Sequence, residues 1–169
     1  MNTPADTAPP DGPRAINGRE ALAAARLQLL AATRHRLVLH LPLLGRDDYG
    51  NDAELAEFKR IATSGRRAEI RILLHDPAAA LRDGHRLVLL FQRLSSSMAI
   101  RTPVDEVDSQ NTAAWLVNDT GGYLYLPEAS QPQGRMALAD RPGQVPLQQQ
   151  FDEVWERSAR ASELSTLDL

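Results

Sequence analysis

The chain has 169 residues, a length that suits one domain with a hydrophobic core of its own. It contains no cysteine, which excludes disulfides and thiolate chemistry. Its net charge is −3, so the overall balance lacks the basic excess of a duplex-binding protein, and we expect no nucleic-acid partner. No apolar run approaches the about 20 residues that cross a bilayer, and residues 1–13 lack the features of a signal peptide. We therefore expect a cytoplasmic protein without membrane contact.

The composition divides the chain into three parts. Residues 1–14 are rich in proline, alanine, aspartate and threonine, which predicts a flexible N-terminal arm. Residues 15–161 carry the periodic apolar patterns of a single α/β domain, and residues 162–169 form a short C-terminal tail.

Helices and strands alternate in the first half of the domain. Residues 17–33 repeat apolar side chains on one face and predict a helix. The continuous apolar run of residues 37–44 predicts a strand buried on both faces, which Pro42 ends or distorts. A second helix is predicted over residues 52–64 and a second strand over residues 68–74.

The second half adds two helical regions, a third strand and a hairpin. Its predicted elements are a helical region opened by Asp76 and Pro77, a helix over residues 85–96, a strand over 98–102, an acidic loop over 103–111, hairpin strands over 112–117 and 123–126, an edge strand over 135–138, and a last helix from Pro146. Because strands joined by helices run parallel, this order predicts an α/β fold. We expect a mostly parallel central sheet with helices on both faces and a β-hairpin in the C-terminal half.

Three segments of the pattern carry a family likeness. They are R-L-V-L-H-L at residues 36–41, E-L-A-E-F-K-R-I-A-T-S-G-R-R-A-E-I-R-I-L-L-H-D at 54–76, and A-W-L-V-N-D-T-G-G-Y-L-Y-L at 114–126. In this order they resemble the phospholipase D-like superfamily, in which a strand, a helix with a glycine or basic turn, and a second strand precede a hairpin with an Asp-Gly turn. The resemblance implies a phospholipase D-like topology over residues 37–126, more than half of the chain.

The resemblance also implies where catalytic residues would stand. The phospholipase D reaction needs a histidine nucleophile, a lysine two residues later that holds the phosphate, and an aspartate five residues after the lysine. With that aspartate placed on Asp119, Thr112 stands at the histidine position and Ala114 at the lysine position. Neither residue can do that chemistry, and the Gly-Ser and Asn expected beyond the turn are also missing. The pattern therefore predicts a degenerate site in which Asp119 opens a turn.

Two further segments are similar to a second family. They are G-H-R-L-V-L-L-F-Q-R-L-S-S-S at residues 84–97 and Q-Q-F-D-E-V-W-E-R-S at residues 149–158. They resemble a small uncharacterised bacterial domain family that is sometimes attached to acetyltransferase domains. The activity of that family is unknown, so the likeness suggests an acetyltransferase-linked partner and adds no chemistry.

Several side chains that could take part in acid–base chemistry follow the predicted strands. His75 and Asp76 follow that strand, where open α/β sheets place their ligands, and His85 begins a later helix. These residues could converge with Asp47 and Asp48, from the loop after the first strand, as an acid–base pair or a weak metal site. The other interpretation is helix capping, which uses the same residue types.

The remaining candidates are weaker. No zinc spacing such as H-x₃-H joins the four histidines, and no P-loop or G-x-G-x-x-G occurs, so we expect no metal site and no cofactor. His40 lies within a buried strand and is expected to be a hydrogen-bonded core histidine. Arg86, Arg93 and Asp119 are the candidate ligand-binding residues, the two arginines for a phosphate or carboxylate unless they belong to a solvated face.

The sequence favours a non-catalytic, degenerate phospholipase D-like module with a binding or regulatory role. Its ligand would be a small anion or nucleotide, or a protein partner. The alternative is a hydrolase or phosphodiesterase with a relocated site, in which His75 or His85 is the base and Asp76 orients it. A third interpretation is a structural homodimer, because phospholipase D-like single domains often pair across their site face.

Overall fold

One eight-stranded sheet organises residues 10–165, the part of the chain that a computed structural model describes. Its strands are β1 (Arg14–Asn17), β2 (Arg36–Leu41), β3 (Glu69–Leu74), β4 (Met98–Thr102), β5 (Ala114–Asn118), β6 (Tyr123–Leu126), β7 (Gln133–Ala137) and β8 (Ala159–Arg160). Their spatial order is β1-β7-β6-β5-β2-β3-β4-β8. The fold is therefore a mixed α/β structure built on one continuous sheet.

The sheet is mostly antiparallel, and the predicted mostly parallel sheet is wrong. Among the described strands, β2–β3 and β3–β4 are the parallel pairs, and the other five pairs are antiparallel. Strands β2, β3 and β4, which helices connect, do run parallel to one another, as predicted. Short loops at residues 119–122 and 127–132 join β5 to β6 and β6 to β7, so these neighbours pair antiparallel. The other three antiparallel pairs are β2–β5 in the centre of the sheet and β1–β7 and β4–β8 at its edges. The two edge strands, β1 and β8, have four and two residues, too few to show a period in the sequence.

Helices cover both faces of the sheet. They are α1 (Arg19–Ala32), α2 (Asp52–Ala62), α3 (Pro77–Arg82), α4 (Arg86–Arg93), α5 (Glu106–Ser109) and α6 (Arg141–Glu156), and a 3-10 turn spans Ser162–Leu164. Side chains of α1, α2 and α4 pack into the larger core on one face. On the other face α6 packs Leu147, Phe151, Val154 and Trp155 into a second core. Burial on both faces explains why the central strands are apolar throughout.

Strand β2 lies between parallel β3 and antiparallel β5, and its side chains alternate between the two cores. Leu37, Leu39 and Leu41 belong to the core beneath α1 and α2, whereas Val38 belongs to the core beneath α6. The prediction of a strand buried on both faces is confirmed here. The strand ends at Leu41, because Pro42 has no N–H to continue the ladder.

The first and last described residues join the fold. β1 pairs with β7 from Arg14 onward, and Leu164 of the final turn is buried in the larger core. Residues 1–9 of the predicted arm and residues 166–169 of the predicted tail lie outside the described residues. Within residues 10–165, no helix is both long and apolar enough to cross a membrane.

Helix α6 begins at Arg141 and not at Pro146, where the sequence suggested its start. Asp140 caps the helix, since its carboxylate accepts the N–H of Gly143 at 3.2 Å. Pro142 lies in the first turn, where a missing N–H costs nothing. Pro146 lies inside the helix and removes one backbone hydrogen bond, which the burial of the following apolar face offsets.

The turn between β5 and β6 is packed tightly against α1. Gly121 has a φ of +91°, and a Cβ added at Gly122 would lie 2.7 Å from Cδ2 of Leu29, so both positions require glycine. The amide of Asn118 donates to the Leu29 carbonyl at 3.2 Å and accepts the N–H of Gly122 at 2.8 Å. This turn therefore fixes the hairpin relative to the end of the first helix.

Asp119 extends that attachment to the start of β2. Its carboxylate accepts backbone N–H groups from Arg34 at 2.9 Å, His35 at 2.7 Å and Arg36 at 3.1 Å. Burial alone would raise the pKa of Asp119, but the backbone N–H donors of these three residues outweigh it and lower the pKa. The carboxylate is consequently a structural acceptor that joins two chain segments about 84 residues apart.

Asp119→Asn should destabilise the protein by about 2 kcal/mol at neutral pH, because hydrogen bonds to a charged group contribute about 1.5–3 kcal/mol. Urea unfolding measures the change. The difference from the parent should shrink below about pH 4, since a carboxylate with a lowered pKa contributes stability that is lost as it is protonated. Asp83→Asn, at an exposed aspartate, is the matched control. Equal effects of the two substitutions would refute the anchoring role of Asp119.

Candidate functional site

The two positions that the phospholipase D resemblance assigns to catalysis lie beside the carboxyl end of β2. Thr112 is exposed, and its carbonyl accepts the N–H of Ala129 at 2.8 Å. Ala114 begins β5 and is buried, and it lines a cavity of about 40 Å³. That volume holds a few water molecules and is far below the about 300 Å³ of small-molecule pockets. The remaining lining residues are mainly leucine and alanine: Leu22, Leu41, Leu43, Leu124, Leu126 and Ala129.

Arg26 of α1 is the cation in this cavity wall, and nearby carboxylates neutralise it. The residue is 6% exposed, and its Nε donates to Oε2 of Glu54 at 3.2 Å. Its Nη1 lies 3.6 Å from Oδ1 of Asp48, and its guanidinium lies over the ring of Tyr49. Burial raises the pKa of Glu54, and the adjacent Arg26 acts in the opposite direction. Because the guanidinium already faces two carboxylates, it is poorly placed to hold a phosphate.

On the opposite face of the sheet, His40 and His75 form a hydrogen-bonded pair. Their Nε2 atoms are 3.0 Å apart. Nδ1 of His40 donates to the Ala113 carbonyl at 2.7 Å, so in the neutral ring Nε2 of His40 is the acceptor and Nε2 of His75 the donor. The ring of Trp115 stacks on His40 with 4.1 Å between centroids. His40 is fully buried, so no substrate can reach it without a rearrangement.

A buried carboxylate lies close to the histidine pair. Asp108 of α5 is 7% exposed and accepts two hydrogen bonds from Arg157, one from Nε at 2.8 Å and one from Nη2 at 2.9 Å. Asp108 also favours the charged form of both His40 and His75 through its field. The bidentate pair with Arg157 commits both of its oxygens, so Asp108 stabilises the end of α6.

Burial controls the protonation of the histidine pair. Burial, together with the neighbouring His75, lowers the pKa of His40 to about 4. Burial also lowers the pKa of His75, against the opposing effects of the Ser109 backbone and Asp108. Both rings are therefore neutral at pH 7. A histidine with so low a pKa is a weak base for proton abstraction at that pH.

The three residues expected to converge, His75, Asp76 and His85, make separate contacts. Asp76 caps α3, since its Oδ1 accepts the N–H of Ala79 at 3.0 Å. His85 caps α4 by accepting the N–H of Leu87 on Nδ1 at 3.1 Å. Its Nε2 donates to the Gly45 carbonyl at 3.0 Å, which leaves neither ring nitrogen available.

The two aspartates expected nearby belong to the Arg26 cluster. Asp48 faces the guanidinium, and the Asp47 carbonyl accepts from its Nη2 at 3.3 Å. The structure therefore brings His75 together with His40, and it engages Asp76 and His85 in helix capping.

The candidate ligand-binding residues also lie apart. Nη1 of Arg86 is 2.7 Å from Oδ1 of Asp52 in an exposed ion pair, and Arg93 is exposed at the end of α4. Asp119 lies at the other end of β2, where three backbone N–H groups occupy its carboxylate. Across residues 10–165, no three His, Asp or Glu side chains come together as metal ligands would.

His40 is a hydrogen-bonded core histidine, as the sequence predicts, and this prediction is confirmed. The sequence did not predict that His75 is its hydrogen-bond partner. In the parallel register His40 is opposite Leu73, so His75 lies two residues further along the same face of β3. On neighbouring parallel strands, residues an even number of positions from an opposite pair share a face of the sheet. This rule applied to the two predicted strands could have identified the pair. The Asp108–Arg157 pair spans 49 residues and left no comparable signal.

The buried histidine pair predicts a loss of stability in mild acid. Unfolded His40 binds a proton near pH 6.5, whereas in the fold it does so near pH 4. The fold therefore has its full stability above about pH 6.5 and loses on the order of 3 kcal/mol between pH 6.5 and 4 through this group. Urea unfolding at intervals across this range should show the decline, and His40→Gln should flatten it.

His35→Gln is the control for this experiment, because it leaves the His40–His75 pair intact and should retain the decline. Parallel curves for the parent and His40→Gln would contradict the assignment of the acid sensitivity to His40. The nearby Asp108 and Arg157 are unchanged in both variants, so their contribution cancels in the comparison.

Known structures share this fold at low sequence identity. TrmBL2, an archaeal chromatin protein whose structure shows a novel mode of DNA binding, matches with a TM-score of 0.60 and 11% identity over 93% of this chain and 57% of that chain. This chain thus spans little more than half the length of TrmBL2. Nuc from Salmonella typhimurium, a phospholipase D family member, matches with a TM-score of 0.57 and 9% identity over 88% of this chain and 98% of that chain.

These likenesses establish a phospholipase D-like fold and, at such identities, nothing about activity. No curated protein matches the chain. Residues 18–167, most of the chain, match the model of the family described as Domain of unknown function (DUF7931). The chain belongs to the DUF7931 family.

Proposed function

We propose that this protein is a non-catalytic phospholipase D-like module that binds a ligand or partner without cleaving it. The observation that carries the proposal is the environment of Ala114. Where the resemblance places a phosphate-holding lysine, a methyl group faces a cavity of about 40 Å³ with mainly apolar walls. A phosphodiester bound there would lose its hydration and gain no free cation.

Arg26 does not restore the missing charge. Its guanidinium lies in the same wall, but Glu54 and Asp48 already contact it, and a second anion would meet their negative charge. Thr112 lacks a general base among the contacts described for it, and its hydroxyl is not comparable to an imidazole nucleophile. Both catalytic requirements of the family are therefore unmet at the expected positions.

A hydrolase with a relocated site is the alternative function. Its base would be His75, which is half-buried at the end of β3 and is hydrogen-bonded to His40. Against it, His85 and Asp76 are engaged in capping α4 and α3 and do not orient His75. The alternative therefore rests on one histidine with a lowered pKa and no positioned acid or nucleophile.

The structural neighbours are compatible with a binding role. TrmBL2 is described as a chromatin protein with a novel mode of DNA binding, and a domain of this fold forms part of it. A phospholipase D-like fold thus occurs in a protein whose described property is binding. By analogy, a phosphate-bearing ligand is a reasonable class for this chain, alongside a protein partner.

The purified protein should not hydrolyse bis(p-nitrophenyl) phosphate or supercoiled DNA above the buffer rate, with or without Mg²⁺. His75→Ala should leave this background unchanged, and so should Gln149→Ala, which alters an exposed residue of α6. Spectrophotometric release of p-nitrophenol and gel analysis of the DNA provide the measurements. Turnover that His75→Ala abolishes and Gln149→Ala retains would establish the hydrolase in place of the binding module.

A further inference from the structure

The amino ends of β2 and β3 bring two arginine-bearing loops together. Because the strands are parallel neighbours, with Arg36 opposite Glu69, the loops that lead into them lie side by side. The N–H of Glu69 donates to the His35 carbonyl at 2.9 Å and holds the two loops in contact. The first loop carries Arg34 and His35 and leads into Arg36, the first residue of β2, and the second carries Arg66 and Arg67.

We name the exposed cations at this end of the sheet the basic edge. Its members are Arg34, Arg36, Lys59, Arg66 and Arg67. Lys59 joins the four arginines from the last turn of α2, just before the second loop. Five of the 19 lysine and arginine residues thus lie on segments that meet at this end of the sheet, on a chain whose net charge is −3. The net charge is a sum over the whole chain and therefore does not reveal this local excess of positive charge.

The cations of the basic edge are not neutralised by neighbouring carboxylates. Within the described residues, the ion pairs formed by basic side chains involve Arg26, Arg60, Arg71, Arg86 and Arg157, and no member of the basic edge. Two acids of the adjoining segments are otherwise engaged. Asp119 accepts three backbone N–H groups, and Glu69 lies 2.6 Å from Arg71. The guanidinium donors of the edge therefore face solvent.

A cleft of about 260 Å³ lies between the loops, lined by His35, Arg36, Arg67 and Asp119. Its size approaches the about 300 Å³ at which small-ligand pockets begin. The hydroxyl of Ser64 donates to the Ile61 carbonyl at 2.7 Å and is 2.9 Å from Nδ1 of His35, which holds the imidazole at the cleft wall. A phosphate group at the cleft would meet the guanidinium groups of Arg36 and Arg67, a ligand type that binds phosphate well. The Asp119 carboxylate also lines the cleft, where three backbone N–H donors offset its charge.

The surroundings of the cleft favour a duplex backbone over other anionic surfaces. Residues 63–68 read T-S-G-R-R-A and residues 33–36 read T-R-H-R, so the loops carry no large apolar side chain that could insert into a membrane. They also lack Trp, Tyr and Phe, the usual stacking platforms for unpaired bases. A duplex presents its phosphates outward and requires only cations and N–H donors.

We propose that the basic edge binds the phosphate backbone of double-stranded nucleic acid without reading its sequence. This deepens the proposed binding role by naming a ligand class and a site. The site lies at the amino ends of β2 and β3, opposite the end that carries Ala114 and the histidine pair. Backbone contact by three or four cations gives a log–log salt slope of about −3 to −4 and an affinity in the micromolar range at low salt.

Fluorescence anisotropy with a labelled 20-base-pair DNA duplex, titrated with the full chain at 50 and 200 mM NaCl, tests the proposal. Arg66→Gln/Arg67→Gln should weaken binding at 50 mM by at least about fivefold and make the salt slope shallower by about 2. The matched control is Arg82→Gln/Arg160→Gln, which removes the same charge at exposed positions elsewhere and should change the affinity less than twofold. Unchanged melting temperatures confirm that both variants fold.

Any one of the following results would overturn the proposal. They are no binding of the parent at 100 µM protein and 50 mM NaCl, equal weakening by the two double variants, and stronger binding to phosphatidylserine vesicles than to the duplex. Competition by inorganic phosphate beyond the effect of its ionic strength would also overturn it, in favour of a small-anion site.

The same samples separate this proposal from the proposed function. Intact DNA without binding contradicts the basic edge only, whereas cleaved DNA contradicts the non-catalytic role only.

Discussion

The double pairing of β2, parallel to β3 and antiparallel to β5, is the constraint on which the rest of the molecule depends. A strand buried on both faces has no solvent to satisfy its backbone groups, so both neighbours must supply them. The parallel partner brings the loops before β2 and β3 to one edge of the sheet. The antiparallel partner β5 brings the hairpin turn to this amino end of β2. The start of β5 lies at the carboxyl end of β2.

The two ends of the central strands differ in how their charged and polar side chains are paired. At the carboxyl end, polar groups are matched with one another: Arg26 with Glu54, Asp108 with Arg157, and His40 with His75. Such burial is tolerable only because each group has a partner. At the amino end the arginines of the two loops remain exposed and outside the described ion pairs. The exposed arginines of the two loops thus lie at the end of the central strands opposite Ala114 and the histidine pair.

Asp119 has a structural role that does not depend on the chemistry that the resemblance assigns to its position. Its carboxylate accepts three backbone N–H groups from the segment that enters β2. Those hydrogen bonds hold the hairpin to the central strand whether or not a nucleophile stands at position 112. Ala114, in contrast, supports only packing around a small cavity. The acid at position 119 therefore has a structural role that does not depend on the residue types at positions 112 and 114.

The sequence alone determined the order of the longer helices and of strands β2 to β7, the hairpin, the lack of a histidine and a lysine at the expected catalytic positions, and the burial of His40. These features depend on local periodicity, turn residues and spacing, which a linear pattern records. The sequence missed β1 and β8, and it predicted a loop where α5 lies. Tertiary structure decided the mostly antiparallel sense of the sheet, the partnership of His40 with His75, the acceptor role of Asp119 and the gathering of arginines at one edge. Each of these joins residues 29 or more positions apart, or depends on edge strands too short to show a period. Strand register brings such residues together, and register is set by how the whole sheet pairs.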